Sequence, residues 1–291
     1  MINGKPYSFY GFVPISYHGF LDMPQRLGEV SYDWGDYVEP LLHEDDLFWK
    51  SRELRINVLY DARLSTMSFR SAIEHLTYII GYFEIVTTYG TFNVKLKEVN
   101  KSRHYNDNNI TLELVFEEET PVFKDTIPGA IGGNDITLDG YSLLNDFNVL
   151  VSLVKYNDNI AKLFQSNKTR YHPNRPLTDF REFKNIEIQC SIIKKDGYQD
   201  KLANLKKLLA SPDYRYLVYK STEYKCFITE GFRVDINKEY IQFLLRLNIF
   251  SQVGLFQEPL FGGGLFYYGN QRKYLESLFE YNLFESGIFK K

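Results

Sequence analysis

The sequence has no hydrophobic run of about 18 residues, the length that a membrane-spanning helix requires. It also lacks a basic excess, because 34 lysines and arginines stand against 37 aspartates and glutamates. Nucleic-acid-binding domains of the usual kind show the opposite balance. Only two cysteines, Cys190 and Cys226, occur in 291 residues, which excludes a disulfide framework. We expect both cysteines to be small buried residues in strands, with a disulfide or a reactive thiol as the alternative.

Motifs of common active sites are missing as well. No serine lies in a G-x-S-x-G turn, and no two of the five histidines have the spacing of a metal-binding helix. The acidic run from His43 to Asp46 lacks the spaced ligands of a calcium loop. The glycines at 262–264 lack the lysine and hydroxyl residue of a phosphate-binding loop. We therefore predict a chain that is not an enzyme and that has no catalytic residue, cofactor or metal site.

Aromatic side chains are abundant, since 23 tyrosines, 23 phenylalanines and two tryptophans make up 16% of the chain. Aromatic residues favour strands and contribute much of the binding energy of protein interfaces. This composition predicts a β-rich chain that also buries surface against partners. Trp49 adjoins a predicted strand, and both a core position and an interface position fit it. As interface candidates we select aromatic residues of a long acidic loop at 28–50 and of the C-terminal tail: Trp34, Tyr37, Phe266, Tyr267, Tyr274 and Phe279.

An internal repeat links the two halves of the sequence. Apolar and other residues alternate in the segment 54–60 and again in 186–192, so that Ile188 occupies the position equivalent to Ile56. A period of two is typical of a half-buried strand. A helical pattern follows each strand, in SFRSAIEHLTYII and in YQDKLANLKKLLAS, and three more strand patterns follow at nearly the same spacing. The repeated unit therefore has the order strand, helix, strand, strand, strand. We call the separation of Ile56 from Ile188 the repeat interval.

The repeat predicts a β-rich α+β fold with two units in tandem. Apolar residues at Phe69, Ile73, Leu76 and Ile80 make a stripe one helix wide, which can cover part of one sheet. We expect each unit to be a β-sandwich or barrel with one packed helix. The prolines and glycines of 119–134 are typical of a linker. The predicted divisions are 1–125, 126–251 and a C-terminal extension, 252–291, with a short amphipathic helix.

Four segments, taken in order, carry a resemblance to a known family. LDMPQRLGEVSYDWGDYVEPL, RINVLYDA and TYGTFNVKLKEV surround the first predicted helix, and ITLDGYSLLNDFNVLVS opens the second half with a hairpin turn predicted at Asp139–Gly140. These segments resemble bacteriophage tail proteins of the distal-tail and tail-tube-like group, over residues 7–125 and 135–250. The chain departs from that group in having two tube-like units, where many distal-tail proteins pair one with a different C-terminal domain. Its C-terminal helix has no counterpart there.

The resemblance implies two tandem tail-tube-like modules in a structural protein of the virion tail, assembled in the host cytoplasm. Such modules form rings around the channel through which the genome is ejected. Two modules per chain fit a hexamer, which we favour, or a trimer. The implied partners are further copies of the chain and other tail proteins, while DNA passes through without sequence-specific binding. A mildly acidic chain is compatible with a lumen that repels DNA.

A second function, from a different class, also fits the composition. A carbohydrate-binding β-sandwich module of a receptor-binding protein would place Trp34, Trp49 and several tyrosines on one exposed face. The duplicated helix favours the tail protein, because a sugar-binding sandwich has no need of a helix in each unit.

Overall fold

The computed structural model describes residues 1–28, 31–33, 38–65, 67–106, 109–157 and 184–252. All six interface candidates lie outside these ranges, as does the C-terminal extension beyond Gln252. The glycines at 262–264 and the predicted helix of the tail are outside them too. For these residues the interpretation from sequence stays a prediction.

The first half of the described chain consists of strands around one helix. Helix α1 is Phe69–Thr77, with Ser68 as its N-cap, and a short 3-10 turn is formed by Tyr7–Tyr10. A second 3-10 turn, Glu44–Asp46, contains most of the acidic run. The strands are β1 (Phe12–His18), β2 (Arg26–Leu27), β3 (Ser31–Asp33), β4 (Val38–Pro40), β5 (Phe48–Trp49), β6 (Arg52–Asp61), β7 (Phe83–Thr87), β8 (Gly90–Asn106) and β9 (Asn109–Glu118).

The second half also consists of strands around one helix, and its helix is longer. Helix α2 is Tyr198–Ala210, and its first turn follows Gly197, which has a positive φ of 79°. The strands are β10 (Thr137–Leu138), β11 (Tyr141–Ser142), β12 (Val149–Asn157), β13 (Lys184–Ile193), β14 (Arg215–Tyr219), β15 (Thr222–Phe227), β16 (Asp235–Ile236) and β17 (Tyr240–Gln252). The described chain is thus β-rich with two helices, which confirms the prediction of a β-rich α+β fold.

The two main sheets have the same strand order. The first sheet is β1-β6-β9-β8-β7, and the second contains β12-β13-β17-β15-β14, with β10 and β11 added beyond β14. All of these neighbours are antiparallel. The repeat interval separates the first residues of β6 and β13, Arg52 and Lys184, and also those of β7 and β14, Phe83 and Arg215. The spacing found in the sequence therefore corresponds to equivalent strands.

A tight hairpin turn opens each half. Asp139 and Gly140 join β10 to β11 with φ values of 52° and 82°, as the Asp-Gly pair predicts. Asn3 and Gly4 make the same kind of turn, with φ values of 48° and 72°, and Ile2 pairs with Ile85 of β7. In the second half Leu138 pairs with Leu217 of β14, and Leu217 is one repeat interval beyond Ile85. The equivalence of the two halves thus extends to the first residues of the chain.

Each sheet is covered by its own helix, and each half has its own core. Ala72 and Leu76 of α1 are fully buried against the first sheet, while Phe69 and Ile73 are partly buried there. The prediction for Ile80 is wrong, because the helix ends at Thr77 and Ile80 is 95% exposed in the turn that follows. In the second half, Leu202 and Leu205 of α2 are fully buried against strands that include β13 and β17.

A long connection between β1 and β6, residues 19–51, is called the arm below. The sequence predicts that its acidic part reaches a neighbouring subunit. In the structure, Phe20 of the arm belongs to the first core, whereas Leu21 and Met23 belong to the second core of the same chain. The linker residues Phe123 and Ile127 pack against that core as well. The arm and the linker therefore join the two halves.

Candidate assembly surfaces

Among the described strands β12 is at the edge of the second sheet, and it forms the first candidate surface together with its neighbour β13 and with β17, which follows β13. Ile188, Cys190 and Ile192 of β13 are buried, so the residues between them point to the opposite face of the sheet. The register places Leu153 beside Gln189 and Gln189 beside Leu244 on this outer face. The half-exposed apolar residues of the outer face are Leu150, Leu153, Ile193, Tyr240 and Leu244.

This outer face has few charges in its centre. The row through Leu150 continues with Ser191 and Gln242, which are polar and uncharged, and it ends at the charged residue Asp235 of β16. A groove of about 540 Å³ lies on the face, and one of its walls, formed by residues 230–233 and Asp235, carries the charged side chains of Glu230, Arg233 and Asp235. Between the charged groups lies a strip of uncharged polar residues and half-exposed leucines, and such a strip suits contact with another protein surface. We call the face the β12 surface.

Ion pairs limit the β12 surface at one end. The Nε and Nη2 atoms of Arg246 donate hydrogen bonds to Glu187 at 2.9 and 2.6 Å, and Nη1 donates to Glu230. The hydrogen bonds that Arg246 donates to Glu187 raise the pKa of this guanidinium, which stays charged. Lys155 lies beside Glu187 in the register. Both signs of charge are therefore paired at this end of the surface.

The equivalent strand of the first half is also an edge strand. β1 pairs with β6 on one side only among the described strands, and Val13 and Ile15 are exposed on it. Its register to β6 shifts between Pro14 and Ser16, and the register of β12 shifts in the same way between Val151 and Leu153. A bulge bends an edge strand and increases its local twist. The two edges thus share a detail that regular strand pairing does not require.

The outer face of the first sheet is charged, in contrast to the β12 surface. Glu53 accepts hydrogen bonds from Arg55 Nε at 2.7 Å and from Lys97 Nζ at 2.9 Å. These bonds lower the pKa of Glu53, with the bond from Lys97 as the largest cause. The two halves therefore have the same strand order and different surface chemistry.

The second candidate surface is the contact between the arm and the second half. It lies within one chain and shows how a segment of the first half binds to the second half. Met23 pairs with Phe232 through two backbone hydrogen bonds of 2.9 and 3.1 Å. Gly231 permits this approach, since a Cβ atom there would lie 2.0 Å from the carbonyl oxygen of Met23. The Asp22 carboxylate accepts a bond of 2.8 Å from the backbone of Val234. A short stretch of the arm thus adds to the second half as an extended strand does.

Charged groups are buried where the arm, the first sheet and α2 meet. Arg52 donates to Glu118 through Nε at 2.7 Å, and its Nη1 donates to the carbonyl oxygen of Asp22 at 2.9 Å. The Lys206 ammonium of α2 donates to the carbonyl oxygen of Leu21 at 3.2 Å. Burial lowers the pKa of Lys206 to about 7, and the positive charge of Arg52 adds to this effect. Ions buried at a junction specify its geometry, because each needs its own partner.

The structure gives the positions of several residues that the sequence analysis singled out. Cys190 and Cys226 are buried and free, and burial raises the pKa of both thiols to about 12, which disfavours the reactive thiolate. Trp49 packs on the second core, with its ring 5.3 Å from that of Phe123. His43 and Asp45 are exposed. Within the described residues, no three His, Cys, Asp or Glu side chains come together as metal ligands.

Comparisons with models of protein families, with curated proteins and with solved structures find no match to this chain. None of the described helices is long and apolar enough to cross a membrane.

The β12 surface and the arm contact were not found from the sequence. Identification of the β12 surface requires the strand register, and identification of the arm contact requires the relative placement of the two sheets. The turn at Asn3–Gly4 could have been predicted, because its sequence is of the same kind as Asp139–Gly140.

Proposed function

We propose that this protein is a structural component of a bacteriophage tail. In this proposal, six copies of the chain form a ring around the genome-ejection channel and join neighbouring tail proteins. Each half acts as a tail-tube-like β-sandwich or barrel module, the first over 1–125 and the second over 126–251. The protein has no catalytic role and takes no cofactor, and it resides in the virion tail.

One observation carries the proposal: the chain repeats one strand order twice, and among the described strands each half has an equivalent edge strand with exposed apolar side chains. Ile15 on β1 and Leu153 on β12 are the examples. Such edges favour pairing with another chain unless something covers them. A closed ring covers every edge with the same contact, repeated around an axis. The resemblance of the sequence to tail proteins selects the tail among ring-forming assemblies.

The charge of the chain is compatible with a channel for DNA. The formal net charge is −3, and no basic excess is available to bind phosphates along the chain. DNA that has to move through a ring is better served by weak repulsion than by attraction. Specific DNA binding is therefore not part of the proposal.

The experiment is imaging of the purified full-length protein by negative-stain electron microscopy, together with its native mass. We expect rings with a central channel and a mass of six chains. A trimer with six modules would correct the number of copies and keep the ring. A protein that stays monomeric at high concentration and never assembles with a tail component would contradict the proposed function.

A further inference from the structure

The contact within the chain shows where one unit receives an extended segment. In the second half, the corner between α2 and β14 receives the arm: the Asp213 backbone donates a hydrogen bond of 3.0 Å to the carbonyl oxygen of Leu42. Leu42 is buried, and Leu42 and Trp49 of the arm line one small cavity together with Leu209 of α2. The corner after the helix is thus a docking position for the arm.

The equivalent corner of the first half has apolar side chains that are exposed to solvent. It consists of residues 78–82, between α1 and β7, and we call it the α1 corner. By the repeat interval, Ile80 corresponds to Pro212, next to Asp213. Ile80 is 95% exposed and Tyr78 is 79% exposed, and Tyr82 is also exposed. Two aromatic rings and an isoleucine in nearby exposed positions form a patch that is typical of an interface.

The chain has a second segment in the position of the arm. The arm connects β1 to β6, and residues 158–183 connect the equivalent strands β12 and β13. This second connection contains Leu163, Phe164, Tyr171 and Phe180. It starts and ends at the second sheet, next to Asn157 and Lys184. Its place in the order of elements and its apolar residues match those of the arm.

We propose that the α1 corner of one copy binds residues 158–183 of a second copy. The first half sends its connection to the second half of the same chain, so the next receiver in the same direction is the first half of another chain. A contact of this head-to-tail kind repeats from copy to copy and closes into a ring when the rotation fits. The inference rests on the self-assembly in the proposed function and names a further contact that strengthens it.

The first test places a photo-crosslinking amino acid at position 80 of the full-length protein and, as a control, at position 131. Ile131 is a 75% exposed isoleucine of the linker, which suits the comparison. Chains labelled with ¹⁴N and ¹⁵N are mixed before irradiation, and the crosslinked peptides are identified by mass spectrometry. We expect mixed-isotope crosslinks from position 80 to peptides of 158–183, and none from position 131. Crosslinks within one chain only, or to other segments, would overturn the inference.

The second test compares Ile80→Arg with Ile131→Arg by mass photometry over a concentration series. Both side chains are exposed, so we expect unchanged thermal unfolding for both variants. Association of Ile80→Arg should be at least about tenfold weaker, because the arginine has to be desolvated in the contact, while Ile131→Arg assembles like the wild type. Wild-type rings together with equal association of Ile80→Arg would overturn the inference and keep the proposed function. A monomeric wild type would overturn both.

Discussion

At the scale of the residue, the side chain of Arg52 joins three parts of the molecule, namely β6, β9 and the arm. It pairs with Glu118 across β6 and β9, and it donates to carbonyl oxygens of Phe20 and Asp22 in the arm. Both Arg52 and Glu118 are buried. A buried ion pair contributes little net stability compared with apolar residues, but the loss of one partner leaves an uncompensated charge.

A double-mutant cycle tests this description of the pair. Arg52→Met leaves the carboxylate of Glu118 buried without its partner, and we expect a loss of about 3–5 kcal/mol in the free energy of unfolding. Arg52→Met with Glu118→Leu should recover most of this loss. The measurement is denaturant unfolding of the wild type, of the single variants Arg52→Met and Glu118→Leu, and of the double variant. Additive losses in the double variant would show that the two side chains do not depend on each other.

Lys206 makes the junction sensitive to pH. The groups that face its ammonium are Asp22, Arg52 and Glu118, and burial is the main cause that lowers its pKa from 10.5 to about 7. Between these two values the unfolded chain binds a proton at this lysine that the folded chain has released. The contribution of Lys206 to the free energy of unfolding therefore rises with pH between these two values.

The wild type and Lys206→Met are compared to isolate this effect. The difference in unfolding free energy, wild type minus variant, should increase by at least about 1 kcal/mol from pH 7 to pH 10. Because methionine does not titrate, other groups contribute equally to both proteins and cancel. The measurement is urea unfolding at a series of pH values. A difference that does not change with pH would contradict the lowered pKa.

At the scale of the elements, strand β13 determines which face of the second sheet is inside. Ile188 is fully buried between Val154 and Leu245 in the register, while its neighbour Gln189 is exposed on the β12 surface. Successive residues of a strand point to opposite faces. Adjacent positions of β13 should therefore respond very differently to the same substitution.

Ile188→Asp and Gln189→Asp form a matched pair for this strand. An unpaired charge at position 188 costs several kcal/mol, so we expect Ile188→Asp not to fold. Gln189→Asp should melt within a few degrees of the wild type, since its carboxylate stays in water. Circular dichroism during heating measures both. Unchanged melting of Ile188→Asp would mean that the two faces of the strand are assigned wrongly.

Patterns with a local cause could be predicted from sequence, and contacts between distant segments could not. The alternation in 186–192 and the Asp139–Gly140 pair each depend on neighbours in the chain, and both were assigned correctly. The apolar run TYII predicts a later end for α1 than Thr77, because the sequence pattern continues beyond the last helical residue. The docking of the arm depends on Gly231, whose lack of a side chain matters only when Met23 is adjacent.

At the scale of the whole molecule, the two halves have equivalent strands and unequal surfaces. Ion pairs around Glu53 cover the outer face of the first sheet, and the β12 surface presents leucines and amides. The first sheet therefore presents a charged outer face, and the β12 surface presents an uncharged strip with charged groups around it. In the proposed assembly, contact through the β12 surface leaves the outer face of the first sheet available to water or to other partners.

Charges on the edge strand β12 test whether the β12 surface holds copies together. Leu150→Lys with Leu153→Lys adds two lysines to half-exposed positions, and lysines on an edge strand oppose pairing with another chain. Val122→Lys with Ile131→Lys adds the same charge at exposed positions of the linker and is the control. Sedimentation velocity should show monomers for the edge variant and assemblies for the control, with equal melting temperatures. Assemblies of equal size in both would mean that the copies meet through another part of the chain, because two lysines cannot be buried in a strand pairing without a measurable loss of association.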